Sequence, residues 1–446
     1  MKHNLKRNLS LLLVALVMMT TVFVQPMGTK AAETLELNAQ SAILVDAETG
    51  KVLFAKEADI SLPPASMTKL MTEYLVWEAI ESGKISWDTT TTISDYAYSI
   101  SANPNLSGIG LRQDKEYTVK ELYDAMAIIS DNGTTIALAE LIAGSEGEFV
   151  KMMNKTAEEM GLQDYKFVNS TGLPNSLLGE NVPEGTESDD TNLISARSLA
   201  LLSYNLINDY PESLKVSSQV TLDFEGFKNI ENLNWMLPHS ATFLQQFTYE
   251  GVDGLKTGHT DLAGYCFTGT AERNGQRLIS VVMKTDSKAQ RFEETAKLLD
   301  FGFSNFETKE LFPEGYQVEG KAKLPVAKGK EKSVKIATNE AIKLPVQQGE
   351  EEKYTVKYKL DEDKLNKDGE ISAPIKKGAK VGTAELIYEG ENDYGYIFNA
   401  EKNKSVEVIA QESVAKDNWF MLIMGSIGGF FSNLFTSIVD TVKGWF

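Results

Sequence analysis

Near residue 305 the hydrophobic pattern of this chain changes period, and that change limits its architecture more than any other feature. Residues 33–305 alternate helical and strand patterns, whereas residues 306–410 read almost wholly as short alternating strands. Runs such as Tyr354-Thr355-Val356-Lys357-Tyr358 are punctuated by Gly-, Pro- and Lys-rich turns at Lys328-Gly329-Lys330 and Lys376-Lys377-Gly378. Regular strands of that length predict a small all-β sandwich over 306–410, following a mixed domain over 32–305. No catalytic constellation stands out in the second part, which reads as a spacer, with a binding module as the other option. At 446 residues the chain has ample material for two or three cores.

Both ends are apolar, in different ways. Residues 1–31 carry Lys2, Lys6 and Arg7, an apolar run over 9–24, and small residues near Ala31 and Ala32, the three-part pattern of an export signal. Residues 411–446 hold Phe420, Ile423, Ile427, Phe430, Leu434, Ile438, Val442 and Trp445, which step by three or four. On a helix these form one stripe about 120° wide. Gly425, Gly429, Ser432, Asn433, Asp440 and Lys443 take the other side, and Trp419 and Trp445 stand near the ends. That is an amphipathic helix made to lie on a membrane surface, although 419–439 is also long enough to span one.

Composition removes several functions. The net charge is −19, and without 1–31, with four basic and no acidic residues, it is −23. Nucleic acid, whose phosphates need clustered Lys and Arg, is not an expected partner. One cysteine, Cys266, and three histidines, His3, His239 and His259, leave no internal disulfide and too few ligands for a metal centre. An exported chain of this kind depends on packing for stability. A cofactor-free enzyme or a binding protein remains.

The chemistry lies in the first domain. Pro63-Pro64-Ala65 leads into Ser66-Met67-Thr68-Lys69 and then an apolar-periodic helix through Leu70, Tyr74, Leu75, Ala79 and Ile80. Residues three apart share a helix face, so the Lys69 amine can reach the Ser66 hydroxyl. A lysine serves as base when burial or a nearby cation lowers its pKa. Alone, Ser-x-x-Lys arises by chance about once or twice in a chain this long, as a cap followed by a solvated lysine. A second element, Ser130-Asp131-Asn132, stands between helical stretches, where Ser and Asn two apart can face one cleft. The third, Lys256-Thr257-Gly258-His259, precedes two strands joined by Asn274-Gly275, a hairpin signal. On a strand, Lys256 and Thr257 make a carboxylate receptor, and Gly258 lets a ligand approach the backbone. The spacing is not that of a phosphate loop, and no Gly-x-Ser-x-Gly elbow occurs. His259 reads as a structural strand residue.

Ser-x-x-Lys, Ser-x-Asn and Lys-Thr-Gly in this order are shared by β-lactamases and penicillin-binding proteins. With the runs 43–50, Asn169-Ser170-Thr171-Gly172-Leu173-Pro174 and 252–265, the chain resembles the low-molecular-mass penicillin-binding proteins, specifically the type-5 D-alanyl-D-alanine carboxypeptidases. The resemblance spans the whole chain after 31. It implies a β-lactamase/transpeptidase-like domain, an antiparallel sheet flanked by helices, then a β-rich domain and a C-terminal anchor. It implies Ser66 as acyl-enzyme nucleophile, Lys69 as its base and Ser130 as proton relay to the leaving D-alanine. Asn132 would hold the substrate amide, Lys256 and Thr257 the terminal carboxylate, and the backbone N–H groups of Ser66 and His259 the oxyanion. The implied partners are stem peptides ending in D-Ala-D-Ala, β-lactam antibiotics, and the outer face of the cytoplasmic membrane.

Two positions depart from the family. Leu233, between Asn232 and Asn234, stands where several relatives carry an arginine that helps with the carboxylate. Asp131 stands where many have glycine. A β-lactamase would need a deacylating glutamate in a Glu-x-x-Leu-Asn segment, and the acidic stretch 184–190 does not match it. A non-catalytic wall-binding or penicillin-sensing protein on the same fold is the other alternative; the intact Ser66/Lys69/Ser130 set argues against it.

Overall fold

The computed structural model of the chain describes residues 35–398 and 405–417. The expected export signal and the amphipathic stripe from Phe420 onward lie outside the described residues. Two compact units divide the chain, Met1–Glu36 and Leu37–Phe446. Of the first, only Leu35 and Glu36 are described, in irregular backbone.

At the centre of the second unit is an antiparallel five-stranded sheet. Its order is Val52–Lys56, Ser41–Asp46, Gln276–Thr285, Gly264–Arg273, Val252–Thr260. The first strands of the domain thus pair with its last, and the segment between Lys56 and Val252 is a mainly helical insertion with three short two-stranded ribbons. Ser41–Asp46 is buried on both faces, as its unbroken apolar run requires. Alternate residues serve different layers: Ile43 and Val45 join the core of the helical lobe, while Leu44 faces Gly302 of helix Gln290–Asn305 on the other side. The hairpin turn at Asn274-Gly275 has φ of 52° and 80°, the left-handed pair that matches strand twist.

The helical lobe is built around Lys69–Glu81. Val119–Ile129 starts with a capping box in which Thr118 and Glu121 satisfy each other's backbone donors. Asn132–Ala143 carries Ile136, Ala137, Leu138 and Ala139 in succession and is buried on nearly every side. A helix apolar all round belongs inside a domain, and this one holds the cleft's floor. Glu146–Met160 and Ala196–Asp209, each capped by a serine, complete the lobe.

Helix Gln290–Asn305 ends where strand Phe306–Phe312 begins. The β-rich part is a six-stranded sheet, ordered Tyr354–Leu360, Lys380–Tyr388, Ser405–Ala410, Ser333–Thr338, Lys323–Ala327, Ile371–Ser372, with a ribbon of Phe306–Phe312 and Ile342–Gln347. Strand Tyr354–Leu360 buries Tyr354, Val356 and Tyr358 in alternation, and these share one core with Ile342, Leu344 and Val346 of the ribbon. One stretch departs from this domain: Ile397 joins the core of the helical lobe, flanked by Tyr394 and Phe398. The backbone holds it there, Val52 N–H donating to Gly395 O at 3.0 Å and Ile397 N–H to Gly50 O at 3.0 Å. Among the described residues no helix is long and apolar enough to cross a membrane.

Candidate active site

Proline at 64 starts a tight 3₁₀ turn, Ala65–Thr68, that runs directly into helix Lys69–Glu81. Ala65 has φ of 49°, an uncommon conformation for a residue with a side chain. The turn leaves Ser66 half-buried while Met67 and Thr68 face inward. Lys69 Nζ lies 3.0 Å from Ser66 Oγ, and donates to Asn132 Oδ1 and to the Thr171 carbonyl, each at 2.8 Å. No part of Lys69 reaches solvent. Its pKa is held well below the ordinary lysine range, first by burial and then by the Lys256 ammonium.

The Ser130-Asp131-Asn132 element is a helix-to-helix reversal. Ser130 ends Val119–Ile129 in the left-handed conformation, φ 63°, and Asp131 caps the next helix by accepting from Thr134 N–H at 2.7 Å. This tight turn puts Ser130 and Asn132 on the same side, in the cleft. The buried Ser130 hydroxyl has no hydrogen-bond partner among the described residues, in a place where pairing is the rule. Asp131 also accepts from Ile109 N–H at 2.6 Å, and Asn132 Nδ2 donates to Ser107 O at 3.0 Å. The Asp131 side chain therefore pins the loop that forms one wall.

Ser66, Ser130, Asn132, Thr257, Gly258 and His259 all line one cleft of about 830 Å³. Lys69 and Lys256 lie beneath its surface. Lys256 is 2 % exposed, and burial pushes its pKa down while the Glu73 carboxyl opposes the shift. Leu233 reaches the cleft wall, where it supplies no charge. His259 stacks flat on Tyr265, with centroids 4.0 Å apart, and its Nδ1 contacts Gly264 O at 3.1 Å, so its ring is held as a strand side chain. Gly258 is required from behind: a Cβ there would meet Pro64 O at 2.4 Å, so the Lys-Thr-Gly strand packs on the backbone that presents Ser66.

Three participants have no signature in the motifs. Thr171 offers a carbonyl, aimed at Lys69 because Asn169 Oδ1 accepts from Thr171 N–H (3.1 Å), Thr171 Oγ1 (3.0 Å) and Gly172 N–H (2.8 Å). The run 169–174 signals that turn, but not its target. Arg291, from helix Gln290–Asn305, lines the cleft and donates to Gly258 O at 3.2 Å. Glu73, one turn beyond Lys69, is 3 % exposed.

A serine beside a deeply buried amine, an unpaired second serine, and a cationic strand, all on an antiparallel sheet with a helical flank, define a serine acyl-transfer hydrolase. The D-alanyl-D-alanine carboxypeptidase family matches residues 27–287, and the C-terminal domain of penicillin-binding protein 5 matches residues 306–416. The carboxypeptidase DacF of Bacillus subtilis is 36% identical over 392 residues, 87% of this chain and 92% of the relative. A peptidoglycan synthesis regulatory factor (PBP3) from Streptococcus pneumoniae superposes with a TM-score of 0.67 at 36% identity, covering 85% of this chain and all of that one. Penicillin-binding protein D2 of Listeria monocytogenes, solved in a cefotaxime-bound form, gives a TM-score of 0.52 at 33% identity over 61% of this chain and 99% of its own. The chain belongs to the serine-type D-alanyl-D-alanine carboxypeptidases of peptidoglycan, of the penicillin-binding protein 5 type.

Proposed function

We propose that the reaction runs through an acyl-enzyme on Ser66, which removes the terminal D-alanine of a stem pentapeptide. The observation that carries this reading is the environment of Lys69. A neutral amine has two N–H donors and one lone pair. Asn132 Oδ1 and the Thr171 carbonyl, both at 2.8 Å, take the two donors. The lone pair is left for the Ser66 hydroxyl at 3.0 Å. Burial and the Lys256 charge keep the amine neutral, so it accepts the Ser66 proton as Oγ attacks the penultimate D-alanine carbonyl.

Collapse of the tetrahedral intermediate breaks the C–N bond; the unpaired Ser130 hydroxyl gives its proton to the departing amine and takes back the proton that Lys69 gained from Ser66, so Lys69 returns to the neutral amine. Water then hydrolyses the ester, Lys69 again acting as base. Thr257 Oγ1 and the charge of Lys256 below it receive the terminal carboxylate. The second hydrogen of Asn132 Nδ2 is free for the substrate amide, the first being given to Ser107 O. The oxyanion would sit on the N–H groups of Ser66 and His259. Penicillin would acylate Ser66 likewise and leave slowly, because the acidic stretch 184–190 contributes to the cleft only Asp189, an exposed side chain.

The test combines a fluorescent penicillin with an assay of D-alanine release from a pentapeptide. Stable labelling with release supports the reading; labelling without release indicates a sensor, and rapid hydrolysis of the drug a β-lactamase.

The same reading divides the chain into an export signal (1–31), a peptidase domain (32–305), a β-rich spacer (306–410) and an amphipathic anchor (411–446) on the outer face of the cytoplasmic membrane. The apolar stripe from Phe420 to Trp445 supports it. A chain ending at Lys416 should leave the membrane fraction for the soluble one. Retention in the membrane would assign the anchor to residues 1–31 instead.

A further inference from the structure

Against the turn that carries Thr171 lies a carboxyl that the reaction above does not use. Glu146, the first residue of helix Glu146–Met160, is 5 % exposed. Its Oε1 accepts twice from Ser170, from the backbone N–H at 2.9 Å and from the hydroxyl. Its Oε2 accepts from the Tyr96 hydroxyl at 2.7 Å, Tyr96 standing on helix Asp95–Ser101. Three donors thus converge on one side chain, and an ionised carboxyl, which only accepts, meets all of them.

Ser170 immediately precedes the carbonyl that Lys69 uses. The two successive carbonyls both accept from helix Lys69–Glu81: Ser170 O from Thr72 Oγ1 at 2.8 Å, and Thr171 O from Lys69 Nζ at 2.8 Å. Thr72, Ser170 and Thr171 are fully buried, so water does not replace any partner that is lost. Other side chains hold other parts of this turn. Asn192 Oδ1 anchors the chain leading in, through Val168 N–H at 2.6 Å and Asn169 N–H at 3.2 Å. Asn169 Oδ1 shapes the turn from within, through Thr171 and Gly172. Neither takes the Ser170 N–H or hydroxyl; Glu146 takes both.

Charge does not account for a carboxyl in this place. A Glu146 carboxylate favours the ammonium of Lys69, the wrong form for a base. What it gives the reaction is placement, and a neutral acceptor of the same reach should serve.

We propose that Glu146 is a positioning residue: it holds Ser170 so that the next carbonyl, that of Thr171, takes one Lys69 N–H and the amine's lone pair stays turned to Ser66. The proposal rests on the reading of Lys69 as the base.

The test separates binding from chemistry in the full-length protein. Stopped-flow titration with a fluorescent penicillin gives a dissociation constant and an acylation rate constant, and D-alanine release gives KM and kcat. Glu146→Ala should lower the acylation rate constant and kcat by on the order of 10- to 100-fold, as expected for a base displaced by about an ångström. The dissociation constant and KM should stay within about threefold, because Thr257 and Lys256 are untouched. Glu146→Gln keeps both Ser170 donors on its amide oxygen and turns its NH₂ to the half-buried Tyr96 oxygen. It should restore both rates to within about threefold of the parent. Glu146→Asp keeps the charge but loses the reach, and should fall below Glu146→Gln. Parent-like acylation in Glu146→Ala, an Asp variant faster than the Gln variant, or a loss confined to binding would each overturn the proposal. Should Glu146→Ala not fold, the order of the Gln and Asp variants decides, and equality or reversal counts against placement. Lys69→Met separates the two readings. If it acylates near the parent rate, the base assignment fails; if it is inactive while the Glu146 variants match the parent, only the placement role fails.

Discussion

Ser66→Ala is expected to abolish D-alanine release and penicillin labelling together while leaving the fold intact. The side chain is half-buried and its recorded hydrogen bond is to Lys69 Nζ at 3.0 Å. Removing it costs about 1 kcal/mol of hydrogen bonding at most, and it also frees a buried amine that remains bonded to Asn132 and Thr171. The melting temperature should move by a few degrees or less, about 3 °C per kcal/mol at this domain size. Activity should fall by at least about 10⁴-fold, because the remaining groups act on a nucleophile that is no longer there. Both activities depend on the same oxygen, so they should vanish in step. A variant that still released D-alanine at a tenth of the parent rate would sink the acyl-enzyme mechanism.

The second large effect belongs to a residue with no side chain. At Gly172 the backbone has φ of 87°, and a Cβ would stand 1.9 Å from Ala65 O and 2.9 Å from Thr68 Oγ1. Gly172→Ala therefore meets two costs. The left-handed conformation costs an L-residue about 1–2 kcal/mol. The overlap with a backbone oxygen forces the 169–174 turn and the Ala65–Thr68 turn apart, adding on the order of 1–3 kcal/mol. The displaced parts are the Thr171 carbonyl that orients Lys69 and the peptide that presents Ser66, so an ångström of movement should lower penicillin acylation about 10²-fold. Thermal melting and the acylation rate check the two effects separately. Parent-like values for both would mean that the turns are not in rigid contact.

What can be read from the sequence, and what cannot, follows from the range of each interaction. Ser66 and Lys69 are three residues apart on one helical face, so their meeting is a matter of local geometry. Asn274-Gly275 declares its turn because both positions need positive φ. The change of pattern near 305 coincides with the end of helix Gln290–Asn305 and the start of strand Phe306–Phe312. Thr171 gives no signal of its role because it acts through a carbonyl, which every residue has. Glu73 and Arg291 belong to no motif, and only tertiary packing buries them. Residues 394–398 belong by position to the β-rich part and by packing to the helical lobe. No periodicity within five residues can reveal that attachment.

That attachment has a consequence for how an extended peptide can meet the central sheet. A five-stranded open sheet has two margins along which backbone N–H and C=O groups lack a strand partner, and such margins invite strand addition by foreign chains. Here the Gly50–Val52 end of one margin is already capped by the chain itself, through Gly395 and Ile397. The other margin is Val252–Thr260, the strand whose Thr257, Gly258 and His259 line the cleft beside Ser66. With that end self-capped, the margin that lies beside the nucleophile is Val252–Thr260, and a strand added there would run past Ser66.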